Sequence, residues 1–209
     1  MVTDCCSTDC STHTQTHPRY RKVLWAALLV NTAMFAIELF GGFHAESASL
    51  LADAADFLGD AANYGLSLAV LAQGLLWRSR AALVKGTTMG VFGVFVLGRT
   101  GWGAVAGLPP EPSTMSMIAF LALAANLGVA VLLYAFRSGD ANMRSVWLCS
   151  RNDAIGNLLV LLAAWGVLQT GQVWPDLVVA GLMGTLGLTA ALSVVRRARQ
   201  ELWGISAAV

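Results

Sequence analysis

The chain has 209 residues, of which 56% are hydrophobic and 12% charged, with a formal net charge of +1. Water-soluble domains carry about twice that charged fraction, so polar groups cannot cover this chain in water and a bilayer is its expected solvent. The near-zero net charge excludes a broad basic field for nucleic acid, and the polar N-terminal stretch lacks the apolar core of a cleavable signal peptide.

Residues 1–19 read as a disordered, cytoplasmic tail rich in Ser, Thr, Cys and His, without apolar periodicity. Cys5, Cys6, Cys10, His13 and His17 gather soft and borderline metal ligands there. Their spacing matches no closed zinc-finger pattern. Two readings stay open: a flexible metal-capture arm, or a polar leader that happens to contain these residues. Thiols clustered on such a tail are not a secreted disulfide framework.

Apolar runs follow near 23–43, 48–76, 82–106, 114–136, 144–169 and 174–195. Each reaches the roughly 20 residues that a helical span needs. The breaks at Gly42–Ser47, Trp77–Ala81, Gly107–Ser113, Arg137–Met143 and Thr170–Pro175 are short, so sequential helices are antiparallel neighbours. The expected fold is all-α: a polytopic membrane protein in which 20–195 form a six-helix transmembrane domain and 196–209 a short basic cytoplasmic tail. Gly181, Gly184 and Gly187 form a small-residue stripe that permits close packing, or are ordinary membrane glycines.

Lys and Arg set the orientation. Arg19, Arg21 and Lys22 precede the first span, Arg78, Arg80 and Lys85 surround the start of the third, Arg137 and Arg144 flank the fourth connection, and Arg196, Arg197 and Arg199 follow the sixth span. All fall on one side, which places both termini in the cytoplasm of a bacterial-type inner membrane. Trp77 and Trp174 fall at the expected interfaces, where indoles are favoured.

Ionisable groups inside spans cost about 2.5–3.5 kcal/mol at a helix centre and mark function by default. The first span carries Glu38, the second Asp53, Asp56 and Asp60, the third Arg99, and the fifth Arg151 and Asp153 with Cys149 nearby. At a rise of about 1.5 Å per residue, Asp56 and Asp60 lie roughly 12–18 Å below the outer face. Asp153 lies about 14 Å in from the cytoplasmic face. Two antiparallel helices therefore deliver carboxylates close to the midplane of a core about 30 Å thick.

Asp56 and Asp60 are four residues apart, as are Cys149 and Asp153, so each pair shares one helix face. Facing each other, they offer three carboxylates and a thiolate, a donor set that suits tetrahedral Zn²⁺ or Cd²⁺. A divalent cation offsets both the repulsion between the acids and the cost of burying them. Asn152 and Asn157 are rival fourth donors to Cys149. Asp53, one turn nearer the outer face, binds metal, relays protons or orients a helix. The bland alternative pairs the aspartates with Arg151 and helix dipoles. Glu38 and Arg99 are expected to form an ion pair between the first and third spans, unless Arg99 snorkels outward.

These residues resemble a family. Ser47-Ala-Ser-Leu-Leu-Ala-Asp53-Ala-Ala-Asp56-Phe-Leu-Gly-Asp60 is similar to the second-helix signature of the cation diffusion facilitators, in which His or Asp is followed four residues later by Asp. Asn142-Met-Arg144-Ser-Val-Trp-Leu-Cys149-Ser-Arg-Asn-Asp153-Ala-Ile-Gly-Asn157 resembles the fifth-helix segment, with Cys149 where His or Asp is usual. Asn31 and Glu38 before Gly41-Gly42, and Ala82-Leu-Val-Lys85-Gly86, also fit. The resemblance covers roughly 20–195, and typical members continue into a soluble metal-binding domain that dimerises them. It therefore implies a short form whose homodimer, if made, forms through the membrane helices.

The resemblance further implies that the protein is no enzyme and needs no cofactor. It implies export of Zn²⁺, or of Cd²⁺, Co²⁺, Ni²⁺ or Fe²⁺, in exchange for protons. Asp56, Asp60 and Asp153 would carry both cargoes, and Arg151 would tune or gate the site. Two other classes stay open: a metal-binding membrane sensor or scaffold without turnover, and a transporter of organic cations. An organic cation calls for an aromatic cage, and few aromatics (Phe57, Tyr64, Trp147) neighbour the aspartates in sequence.

Overall fold

The computed structural model describes the backbone of residues 18–69, 75–135 and 141–207, and the side chains of 19–69, 76, 77, 79–135 and 153–203. Among the described residues there are helices and no strand: α1 (Pro18–His44), α2 (Ala48–Ala69), α3 (Leu75–Ala106), α4 (Pro112–Tyr134), α5 (Ala141–Thr170) and α6 (Trp174–Ala207). All but α2 are long and apolar enough to cross a membrane. Asp53, Asp56 and Asp60 set α2 apart. The bundle is turned inside out relative to a soluble protein, exposing Phe40, Val105, Phe120, Val131 and Trp165. That is what lipid contact requires.

One expected boundary is corrected. Trp77–Ala81, read as a break, belongs to the first turns of α3. The stretch contains neither Gly nor Pro, and polarity alone does not stop a helix. α6 runs on through the basic segment to Ala207. There Arg197 pairs with Glu201 one turn later at 3.5 Å, an arrangement that supports a solvated helix. Ser79 donates to Glu201 at 2.6 Å, tying the start of α3 to the end of α6.

α3 packs along α6, α1 along α2, and α4 along α5, while α2 touches α1, α3, α5 and α6. The α3–α6 contact is close because Gly184 of α6 faces Leu97 and Val96, where a Cβ would meet carbon atoms at 3.1–3.4 Å. The expected glycine stripe thus serves packing within the chain at Gly184, whereas Gly187 faces open space.

Apolar layers lie along the length of the bundle. Leu50, Leu51, Met115, Ala119, Val160 and Ala164 form one buried cluster. Tyr20, Leu24, Tyr64, Val129 and Leu133 form another toward the opposite end. Met34, Phe57 and Ala122 pack between them. The α1–α2 turn is tight. Gly42 lies against Leu51, where an added Cβ would stand 2.9 Å from the leucine side chain. Glu46 adopts φ 56°, and the Glu111 N–H donates to Ala45 O at 3.0 Å, stitching this turn to the α3–α4 loop.

Candidate metal centre

At 3.6 residues per turn, Asp53, Asp56 and Asp60 fall within about 60° of arc on one face of α2. α2 is surrounded by other helices, so this face looks into the bundle. Two carboxyl pairs form along it. Asp60 of α2 meets Asp153 of α5 closely enough for the two carboxyl groups to share a hydrogen bond. Asp53 of α2 meets Glu38 of α1 in the same way. Asp56 exerts its charge on members of both pairs.

Few donors serve these acids. Tyr64 Oη donates to Asp60 Oδ2 at 3.2 Å from one turn along the helix, and the charge of Lys85 of α3 acts on Asp60. Glu38 is 0% exposed and Asp53 1% exposed. Apart from the facing carboxyls, neither Glu38 oxygen, nor Asp53 Oδ2, nor Asp153 Oδ2 meets a hydrogen-bond donor among the described residues. Buried oxygens so poorly served are rare in folded proteins, and a proton or a cation is what satisfies facing acids.

Other residues fall as follows. Asn157, one turn beyond Asp153, accepts from Asn126 of α4 at 3.4 Å. That long bond uses one of the two lone pairs of the Asn157 carbonyl. Cys149, Arg151 and Asn152 belong to α5, but their side chains lie outside the described residues, as do Cys5, Cys6, Cys10, His13 and His17. Among the described residues, no three His, Cys, Asp or Glu side chains converge on a common metal position. The acids meet as pairs, and Asp56 stands near both while belonging to neither.

The expected ion pair between Glu38 and Arg99 is not formed. Glu38 is turned toward α2, and Arg99 Nε is buried without an acceptor among the described residues. The face that α1 offers to α3 is aromatic instead. Phe35 meets Phe92 at 6.2 Å between ring centres, and Phe43 meets Phe95 at 6.0 Å.

One buried acid is not singled out by the sequence. Asp176, in the first turn of α6, is 0% exposed. It accepts from Ser47 Oγ at 2.7 Å, Ala48 N at 2.8 Å, Ser49 N at 3.1 Å and Ser49 Oγ at 2.6 Å. Ser47 Oγ also accepts from the Leu50 N–H at 3.2 Å. An Asp after a helix-starting Trp-Pro reads as a cap for its own helix. Here it caps α2 from across the bundle. The one available signal is Ser47-Ala-Ser49 opening a helix whose first turn carries no acid of its own.

A family model described as the cation efflux transmembrane domain matches residues 24–74 and 77–203. The "Cadmium, cobalt and zinc/H(+)-K(+) antiporter" of Bacillus velezensis is 26% identical over 198 residues, covering 84% of this chain and 61% of that protein. Its namesake in Bacillus subtilis is 25% identical over 206 residues, covering 88% and 64%. The "Zinc transporter ZitB" of Pectobacterium atrosepticum is 26% identical over 209 residues, covering 91% and 63%. The chain thus spans under two thirds of the length of these curated relatives. With the family pattern matched along nearly the whole helical bundle, this multi-pass membrane chain belongs to the cation efflux, or cation diffusion facilitator, family.

Proposed function

We propose that this chain forms the membrane pathway of a divalent transition-metal exporter, with Asp56, Asp60 and Asp153 holding the ion in transit. The observation that carries this reading is the meeting of Asp60 and Asp153, from different helices, inside the bundle. A dication is the partner that two facing carboxylates lack, and oxygen donors suit Zn²⁺ and its neighbours. Cys149, Asn152 or Asn157 supplies the fourth position. The metals in the relatives' names, zinc, cadmium and cobalt, agree with that donor set.

The same acids explain exchange with protons. A carboxylate binds either a metal ion or a proton, so protonation from outside expels the ion and deprotonation at the cytoplasmic face readies the site for the next. Coordination draws Asp56 toward the Asp60–Asp153 pair, and protonation lets it relax. In this reading all six helices span the bilayer, α2 tolerating its acids because neighbouring helices shield them from lipid. Both termini face the cytoplasm by the distribution of Lys and Arg.

The test is reconstitution in liposomes with an acidic lumen and a trapped zinc dye. Zinc enters with the intact chain as lumenal protons leave, and Asp60→Ala or Asp153→Ala brings entry to the level of empty liposomes. Zinc binding without entry in the intact chain makes it a sensor or scaffold instead. Entry indifferent to the pH gradient removes the exchange with protons.

A further inference from the structure

Lys85 is a cation about a third of the way along α3, only 8% exposed. Its ammonium donates to Asn63 Oδ1 of α2. Asn63 stands three residues after Asp60 and next to Tyr64, whose hydroxyl binds Asp60 Oδ2 at 3.2 Å. Asn63, Tyr64 and Lys85 therefore gather at the end of the carboxylate site nearer the basic ends of the helices, and the Lys85 charge acts on Asp60. A lysine in the bilayer that merely oriented the chain would reach for the water interface. This one is anchored across the α2–α3 contact.

We propose that Lys85 is a tethered counter-cation of the metal site. It compensates Asp60 when no metal is bound, and its positive charge weakens the hold on an arriving dication so that the ion can leave again. This rests on the reading of Asp60 and Asp153 as metal ligands and assigns a specificity role within it. Lys85 also lines a cavity of about 560 Å³ between α2 and α3, together with Ala62, Leu66, Val84 and Thr88. That cavity is lined almost wholly by apolar side chains, and its other cation, Arg80, is stacked over Trp77 at 5.7 Å, so the ammonium stays on its Asn63 tether beside Asp60.

The test is calorimetric zinc titration of the detergent-purified full chain, with melting curves to verify folding. Lys85→Gln tightens zinc binding by about tenfold, the order expected when one charge is removed at a partly screened site. Lys85→Met does the same in an apolar shape, should the glutamine variant fold poorly. Lys85→Arg keeps wild-type affinity because it keeps the charge. Zinc release, followed by stopped flow with a chelating dye, slows in the two neutral variants. A merely structural lysine would loosen the site when lost, so neutral variants with equal or weaker affinity overturn the proposal. So does Lys85→Arg tightening as much as Lys85→Gln. If the intact chain binds no zinc, the exporter reading itself falls and takes this one with it.

Discussion

The start of α2 and its middle treat buried acids in opposite ways. At the start, Asp176 is fully buried and accepts two hydroxyl and two backbone N–H donors. Little more than one turn on, Asp53 and the facing Glu38 of α1 are as deeply buried, yet apart from each other their carboxyls leave oxygens without donors. The first arrangement is complete and has no use for another ligand. The second is incomplete by construction. Burial alone does not describe an acid; the donors it meets tell the two regions apart.

The sharpest way to break that contrast is Asp176→Ala. It strands the Ser47 and Ser49 hydroxyls and the first N–H groups of α2, and the expected loss is about 3 kcal/mol or more of stability. Thermal unfolding in detergent measures it. Asp176→Asn, which still offers one acceptor oxygen, loses less than Asp176→Ala.

Next in size is Gly184→Leu. Even a Cβ at this position stands 3.1 Å from Leu97, so a full side chain forces α3 and α6 apart at about 1–3 kcal/mol. The same melting curves report it.

Glu38→Gln should move stability the other way. The new amide donates to the facing Asp53 without requiring a proton to be held between two acids, raising stability by about 1 kcal/mol. A matching loss with Glu38→Gln and Asp176→Asn would erase the distinction between the two regions. The smallest effect belongs to Asn126→Ala. Its hydrogen bond to Asn157 is long, at 3.4 Å, so the change costs about 1 kcal/mol or less.

Much of this was legible before any coordinates. Long apolar runs located the helices because in lipid the backbone must satisfy itself locally. Asp60 and Asp153 could be matched by depth because the rise per residue is fixed. The boundary at Trp77–Ala81 failed for a local reason: a polar interruption looks like a loop, but the stretch holds no residue that breaks a helix. The Glu38–Arg99 pair failed for a nonlocal one, since both lie at similar depth but depth does not give the direction a side chain faces. Rotation about each helix axis placed Glu38 against Asp53 and left Phe35 and Phe43 to meet α3.

The sequence by itself determined what an apolar solvent imposes on each segment: that the chain folds as long helices, and at which helix ends the basic residues collect. Only the tertiary structure decided what lies across the bundle, namely which acid meets which, that Asp176 caps a helix not its own, and that Lys85 reaches Asn63. Those contacts depend on the azimuth and packing of helices far apart in the chain, which no local periodicity encodes.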